Sequence, residues 1–126
     1  MAHFNFPKTA RLLKPVEFDR VFRYRKSQAD ERIVVYAGAC LSARPRLGLT
    51  VSRKCGNAVA RNRWKRALRE AFRLVQHELP GQIDFVVLPK PGAQPNVVEL
   101  QQSLLNLGWK LARQLQATAS QTGRTE

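Results

Sequence analysis

Val51–Phe72, VSRKCGNAVARNRWKRALREAF, is the stretch around which the rest of the chain must be arranged. Gly56 and Asn57 are turn and N-cap chemistry: glycine tolerates unusual backbone angles, and an Asn side chain accepts an orphan helix amide. A helix is expected from about Ala58 to about His77, ended by Leu79-Pro80-Gly81. On a 3.6-residue wheel Trp64, Leu68, Ala71, Phe72, Val75 and Leu79 share one face, the period of a helix packed on a core. Arg63, Lys65, Arg66, Arg69 and Arg73 occupy the remainder.

The charge on this helix is misplaced for a chain folding only for stability. Eight of the 22 Lys and Arg residues fall between Arg53 and Arg73, with Glu70 alone to answer them. A helix N-terminus carries partial positive charge and disfavours basic residues, yet this one opens with Arg61, Arg63, Lys65 and Arg66, after Arg53 and Lys54 in the loop. An external anion resolves the conflict, because amides, dipole and guanidinium groups then point at it, and phosphate is the obvious candidate. A merely solvated face would mix signs, with Glu four residues before Lys or Arg.

Composition points the same way. A length of 126 residues suits one domain, and 44% hydrophobic residues argue against wholesale disorder. A net charge of +13 calls for a polyanionic partner, nucleic acid before an acidic membrane surface. No apolar run approaches a membrane span, and MAHFNFPKTARLLK lacks a signal peptide's apolar core, so a cytoplasmic protein is expected. Cys40 and Cys55 are too few for a disulfide framework and are expected as free thiols in a reducing compartment.

Outward from the basic helix, the other elements follow. Residues 1–10 read as a flexible basic and aromatic arm, 11–115 as one α+β domain and 116–126 as a frayed polar tail. Lys14-Pro15 starts a first helix, with Glu17 and Asp19 in its first turn and Phe18 and Phe22 on one face. Arg32–Leu41 and Arg46–Ser52 read as strands joined by a short connection and are expected to pair as an antiparallel hairpin. Residues 25–31 form at most a short extra edge strand. Gln82–Leu88 is a further strand, related to the one before the basic helix by a β-α-β crossover and therefore parallel to it. Asn96 caps a last helix from Val97 to about Leu115, with Leu100, Leu104, Leu107, Leu111 and Leu115 at helical spacing.

The run GNAVARNRWKRALRE, with its Arg61-Asn62-Arg63 core and the preceding VSRK, resembles the signature of the protein subunit of bacterial ribonuclease P. RLLKPVEFDRVFR resembles that family's first helix, RIVVYAG its second strand, and IDFVVLPKPGA its last strand and exit, although Pro89-Lys90 stands where the family usually has a small residue and Arg. The resemblance implies a two-layer α+β sandwich, ribosomal S5-like, of order α-β-β-(β)-α-β-α, with a left-handed crossover. It further implies an RNA–protein endonuclease that removes the 5′ leader of precursor tRNA. In that enzyme the RNA subunit holds the catalytic Mg²⁺. Carried over residue by residue, Arg53, Lys54, Asn57, Arg61, Asn62, Arg63, Lys65, Arg66 and Arg69 would contact the RNA subunit. Phe18, Phe22 and Tyr36, with Arg11 at the mouth, would line the cleft for the single-stranded leader.

Protein-borne catalysis finds no support among the residues. A metal nuclease needs convergent carboxylates, and neither these nor a partnered His is evident, so neither a catalytic residue nor a metal ligand is assigned. Neither DNA, a membrane nor a small-molecule substrate is expected as partner. A structural binder of ribosomal RNA fits composition and topology equally, and only the Arg-Asn-Arg run and the aromatic helix favour the ribonuclease subunit. A DNA-reading helix-turn-helix is disfavoured because a strand precedes the basic helix.

Overall fold

The computed structural model describes residues 10–124, with side chains as far as residue 116. The arm expected over residues 1–10 thus lies outside the described residues, except for Ala10, which is buried. The elements are α1 (Pro15–Arg23), β1 (Lys26–Ala29), β2 (Ile33–Ala39), β3 (Arg46–Leu49), α2 (Ala58–Val75), β4 (Ile83–Pro89) and α3 (Val97–Arg124). Short 3₁₀ turns, Arg53–Cys55 and Gln76–Glu78, flank α2. The last helix continues beyond Leu115, where it was expected to end.

The four strands form one sheet in the order β1-β2-β4-β3. As expected, β3 and β4 are parallel across the α2 crossover, and β1 is a short edge strand. The expected β2–β3 hairpin does not form: β4 lies between them, antiparallel to β2 from Ile33↔Pro89 to Ala39↔Ile83. The reason is burial. Six of β4's seven residues are buried, so it gains most from a position covered on both faces. β3 has four residues, one of them Gly48, and takes the edge. That edge is covered by the segment before α1, where Arg11 bridges Leu47 and the Leu12 amide donates to the Leu47 carbonyl at 2.8 Å.

Alternation along the strands separates two cores. Ile33, Val35, Ala37, Leu47, Phe85 and Val87 pack with Trp64, Leu68 and Phe72 of α2 and Leu100, Leu104 and Leu111 of α3. On the opposite face Leu12, Val21 and Val86 are buried with Phe18, Tyr36 and Leu88 against them. The helices therefore cover both faces of the sheet, with α1 alone on the second, where two layers were expected. α1 is short and fully buries Val21 alone, so it depends on what fastens it to the sheet. Glu17 accepts the Leu13 and Lys14 amides at 3.0 Å each, and its other oxygen takes Arg46 Nη1 at 3.2 Å. Arg46 in turn forks onto the buried Asp84, with Nε–Oδ1 and Nη2–Oδ2 both at 2.7 Å.

Candidate nucleic-acid interface

The start of α2 is set by its two turn residues. Gly56 has φ +122°, and a Cβ there would lie 2.8 Å from the Ala60 Cβ. Asn57 caps the helix, its Oδ1 accepting the Ala60 amide at 3.0 Å. Capping occupies the acceptor of Asn57, so only its amide N–H₂ remains for an anion. Arg53 and Lys54 are exposed in the 3₁₀ turn immediately before.

The basic side chains of α2 fall into groups. Asn62, Lys65, Arg66, Arg69 and Arg73 follow one stripe at helical spacing and, with Arg11 and Glu70, line a groove of about 360 Å³. Arg63 is exposed but does not line that groove. On the wheel it falls on the flank of the helix opposite Lys65. Arg61 is half-buried, and its Nε is buried without a hydrogen-bond partner among the described residues. Such a donor is costly unless something accepts from it.

Among the described residues, Arg53, Lys54, Arg61, Arg63, Lys65, Arg66 and Arg69 make no ion pair. Six of the nine acids pair with other cations: Glu70 with Arg73, Glu17 and Asp84 with Arg46, and Asp30, Glu31 and Glu99 with Arg32. Burial, and then the like charge of Arg11, depresses the Arg69 pKa. Two guanidinium groups thus share one groove wall, an arrangement that an anion relieves.

The aromatic residues stand next to this groove. A second depression, about 220 Å³, is lined by Arg11, Leu12, Phe18, Leu47, Lys65 and Arg69 among others. Arg11, Lys65 and Arg69 line both hollows, which joins the aromatic helix α1 to the basic helix α2. Phe18 lies directly on Gly48, where a Cβ would sit 2.7 Å from its Cε1. Phe22, 37% exposed, meets Tyr36 edge-to-face with ring centroids 5.0 Å apart. The structure therefore brings Phe18 together with Arg11, and Phe22 with Tyr36, on the α1 side of the sheet.

Three features were missed in the sequence. Arg73 belongs to the groove stripe, and the wheel already showed it. Gly48 is the floor beneath Phe18, for which the sequence offers only a glycine inside a strand. The Arg46–Asp84–Glu17 brace had a readable signal in the acid of QIDFVVL, because a carboxylate in a buried strand requires a cation. Among the described residues no three His, Cys, Asp or Glu side chains are grouped to hold a metal ion.

A small, strongly basic α+β domain, with unpaired cations along one helix and an aromatic hollow beside it, is of the class that docks on structured nucleic acid. The Ribonuclease P family matches residues 6–112. The ribonuclease P protein component of Chlamydia trachomatis serovar L2 is 41% identical over 106 residues, covering 83% of this chain and 88% of that protein. The component from Vibrio cholerae serotype O1 (strain O395) is 39% identical over 111 residues, covering 87% and 93%. The solved structure of the Staphylococcus aureus RNase P protein superimposes with a TM-score of 0.68 at 33% identity, covering 82% of this chain and 94% of that one. The chain belongs to the ribonuclease P protein family.

Proposed function

We propose that this chain is the protein subunit of a bacterial, cytoplasmic ribonuclease P, binding the RNA subunit through α2 and the 5′ leader of precursor tRNA in the hollow beside α1. The observation that carries this reading is the row of seven cations from Arg53 to Arg69 without an acidic partner among the described residues. Arg53, Lys54, Asn57, Arg61, Asn62, Arg63, Lys65, Arg66 and Arg69 meet phosphates of the RNA subunit. Phe18, Phe22 and Tyr36 offer aromatic surface to unpaired leader bases, and Arg11 neutralises the leader phosphate nearest α2. The family's left-handed crossover is part of the same reading.

In the family the RNA subunit holds the Mg²⁺ ions and carries out the hydrolysis. The protein's part is electrostatic and positional. It neutralises phosphates where two polyanions must approach, so fewer free Mg²⁺ ions are needed to hold them together. Precursor-tRNA cleavage by a bacterial ribonuclease P RNA at low Mg²⁺, with and without this chain, tests the reading. Cleavage at the 5′ maturation site only with both present is expected. Failure to stimulate, with tight binding to unrelated structured RNA, would refute it in favour of a ribosomal-type binder.

A further inference from the structure

Trp109 is 45% exposed on α3, which packs on the same sheet face as α2 and away from α1. Its indole N–H donates to the Glu78 carbonyl at 3.0 Å, so the ring is anchored at its polar edge with nearly half its surface in solvent. A groove of about 470 Å³ adjoins it, lined by Glu78, Leu105, Asn106, Trp109, Lys110 and Arg113. Lys110 and Arg113 make no ion pair among the described residues, and the Glu78 carboxylate faces His77 at 3.8 Å.

From these groups we infer a second nucleotide-binding site on α3, separate from the proposed interface: a single-stranded RNA base stacks on Trp109 while Lys110 and Arg113 take the adjoining phosphates. The inference stands on its own geometry and does not require the ribonuclease reading. Chemistry selects the occupant. A protein-docking patch needs contiguous apolar surface. Here Trp109 is the one exposed large apolar side chain in the groove, beside two cations, an amide, Glu78 and the half-buried Leu105. A held aromatic plane beside two unpaired cations is the arrangement that binds unpaired nucleotides without sequence preference. The groove adjoins the C-terminal end of α2, through Glu78, whereas Arg53 and Lys54 precede its N-terminal end. Eighteen helical residues at 1.5 Å each separate the two by roughly 27 Å.

The full chain is titrated with hexameric oligoadenylate while tryptophan emission is recorded. Trp64, the other tryptophan, is 3% exposed and serves as a silent background. Saturable quenching is expected, absent in Trp109→Leu, with a midpoint raised roughly tenfold in Lys110→Ala with Arg113→Ala. These residues of α3 are exposed, so the folded state should survive their replacement. The site is overturned if emission does not respond, or if the midpoint is indifferent to Lys110 and Arg113. Emission that depends on protein concentration without RNA would also overturn it, assigning the face to a second copy of the chain. Cleavage stimulation is not read in this experiment, so its failure leaves the ribonuclease reading intact.

Discussion

Arg63→Ala combined with Arg66→Ala perturbs the basic helix with little risk to the fold. Both side chains are exposed and unpaired among the described residues, and alanine is the best helix former. With seven unpaired cations each on a phosphate, log affinity for the RNA subunit falls against log salt with a slope of roughly −6, about −0.9 per contact. Raising salt from about 50 to 200 mM then costs the parent protein some 10³–10⁴-fold in affinity. Removing two contacts should flatten the slope by about 2 and weaken binding at fixed salt by about 2–3 kcal/mol, roughly 30- to 150-fold. The assay is binding to a ribonuclease P RNA transcript across a salt series, with thermal unfolding to confirm that both proteins are folded. A slope unchanged within about 0.5 would refute the reasoning. It would mean that the unpaired charges of α2 are not spent on phosphate.

Phe18→Ala should weaken the holoenzyme's hold on precursor tRNA by about 1–3 kcal/mol while leaving mature tRNA unchanged; equal losses on both would make Phe18 a packing residue only. Asp84→Ala strands Arg46 with Glu17 as its remaining acid, and urea unfolding should show a loss of about 3 kcal/mol, at the low end for a broken buried pair because Arg46 is 22% exposed. The Lys14 amide, then the Leu13 amide and the Arg46 charge, hold the Glu17 carboxyl below its ordinary 4.5, so its contribution is complete above that value and disappears as pH falls through the lower folded value. Acid titration of stability should therefore be shallower in Glu17→Gln, and an identical profile would contradict the brace. Burial and Asp84 push the Cys40 thiol up to about 11, so at pH 8 iodoacetamide should alkylate it some 100-fold or more slower than a small free thiol, as peptide mass spectrometry after quenching would show.

The basic helix was legible because everything that defines it is local. The Gly56–Asn57 start, the apolar face of Trp64 and Leu68 and the cation stripe all follow from helical spacing. Strand pairing is not local. Residues 40–45 are a short connection, and a hairpin was the economical reading of it. The competing signal lay elsewhere, in a β4 segment apolar on both faces, which only a central position satisfies. The association of Arg11 with Lys65 and Arg69 was illegible for a similar reason. It depends on residues 11–12 covering the β3 edge at Leu47, a contact between segments more than thirty residues apart. Among the basic residues, the separation of Arg63 from the Lys65–Arg66–Arg69 stripe was readable from the wheel. The buried Nε of Arg61 was not, because it depends on what packs over the helix start.

The position of the aromatic hollow is best understood from what holds α1. A nine-residue helix with one fully buried side chain would fray in water, and a frayed helix offers no fixed plane on which a base can stack. Glu17 closes its first turn and ties it through Arg46 to Asp84 in the central strand. Gly48 removes the side chain that would otherwise push Phe18 off the sheet. At the same end of α1, the Leu12 amide is bonded to Leu47, and this fixes Arg11 between the aromatic and basic hollows. One buried carboxylate and one absent side chain thus set the distance between the aromatic hollow and the basic groove. The proposed binding of two RNAs at once would demand such rigidity, because each degree of freedom left in α1 would be lost on association.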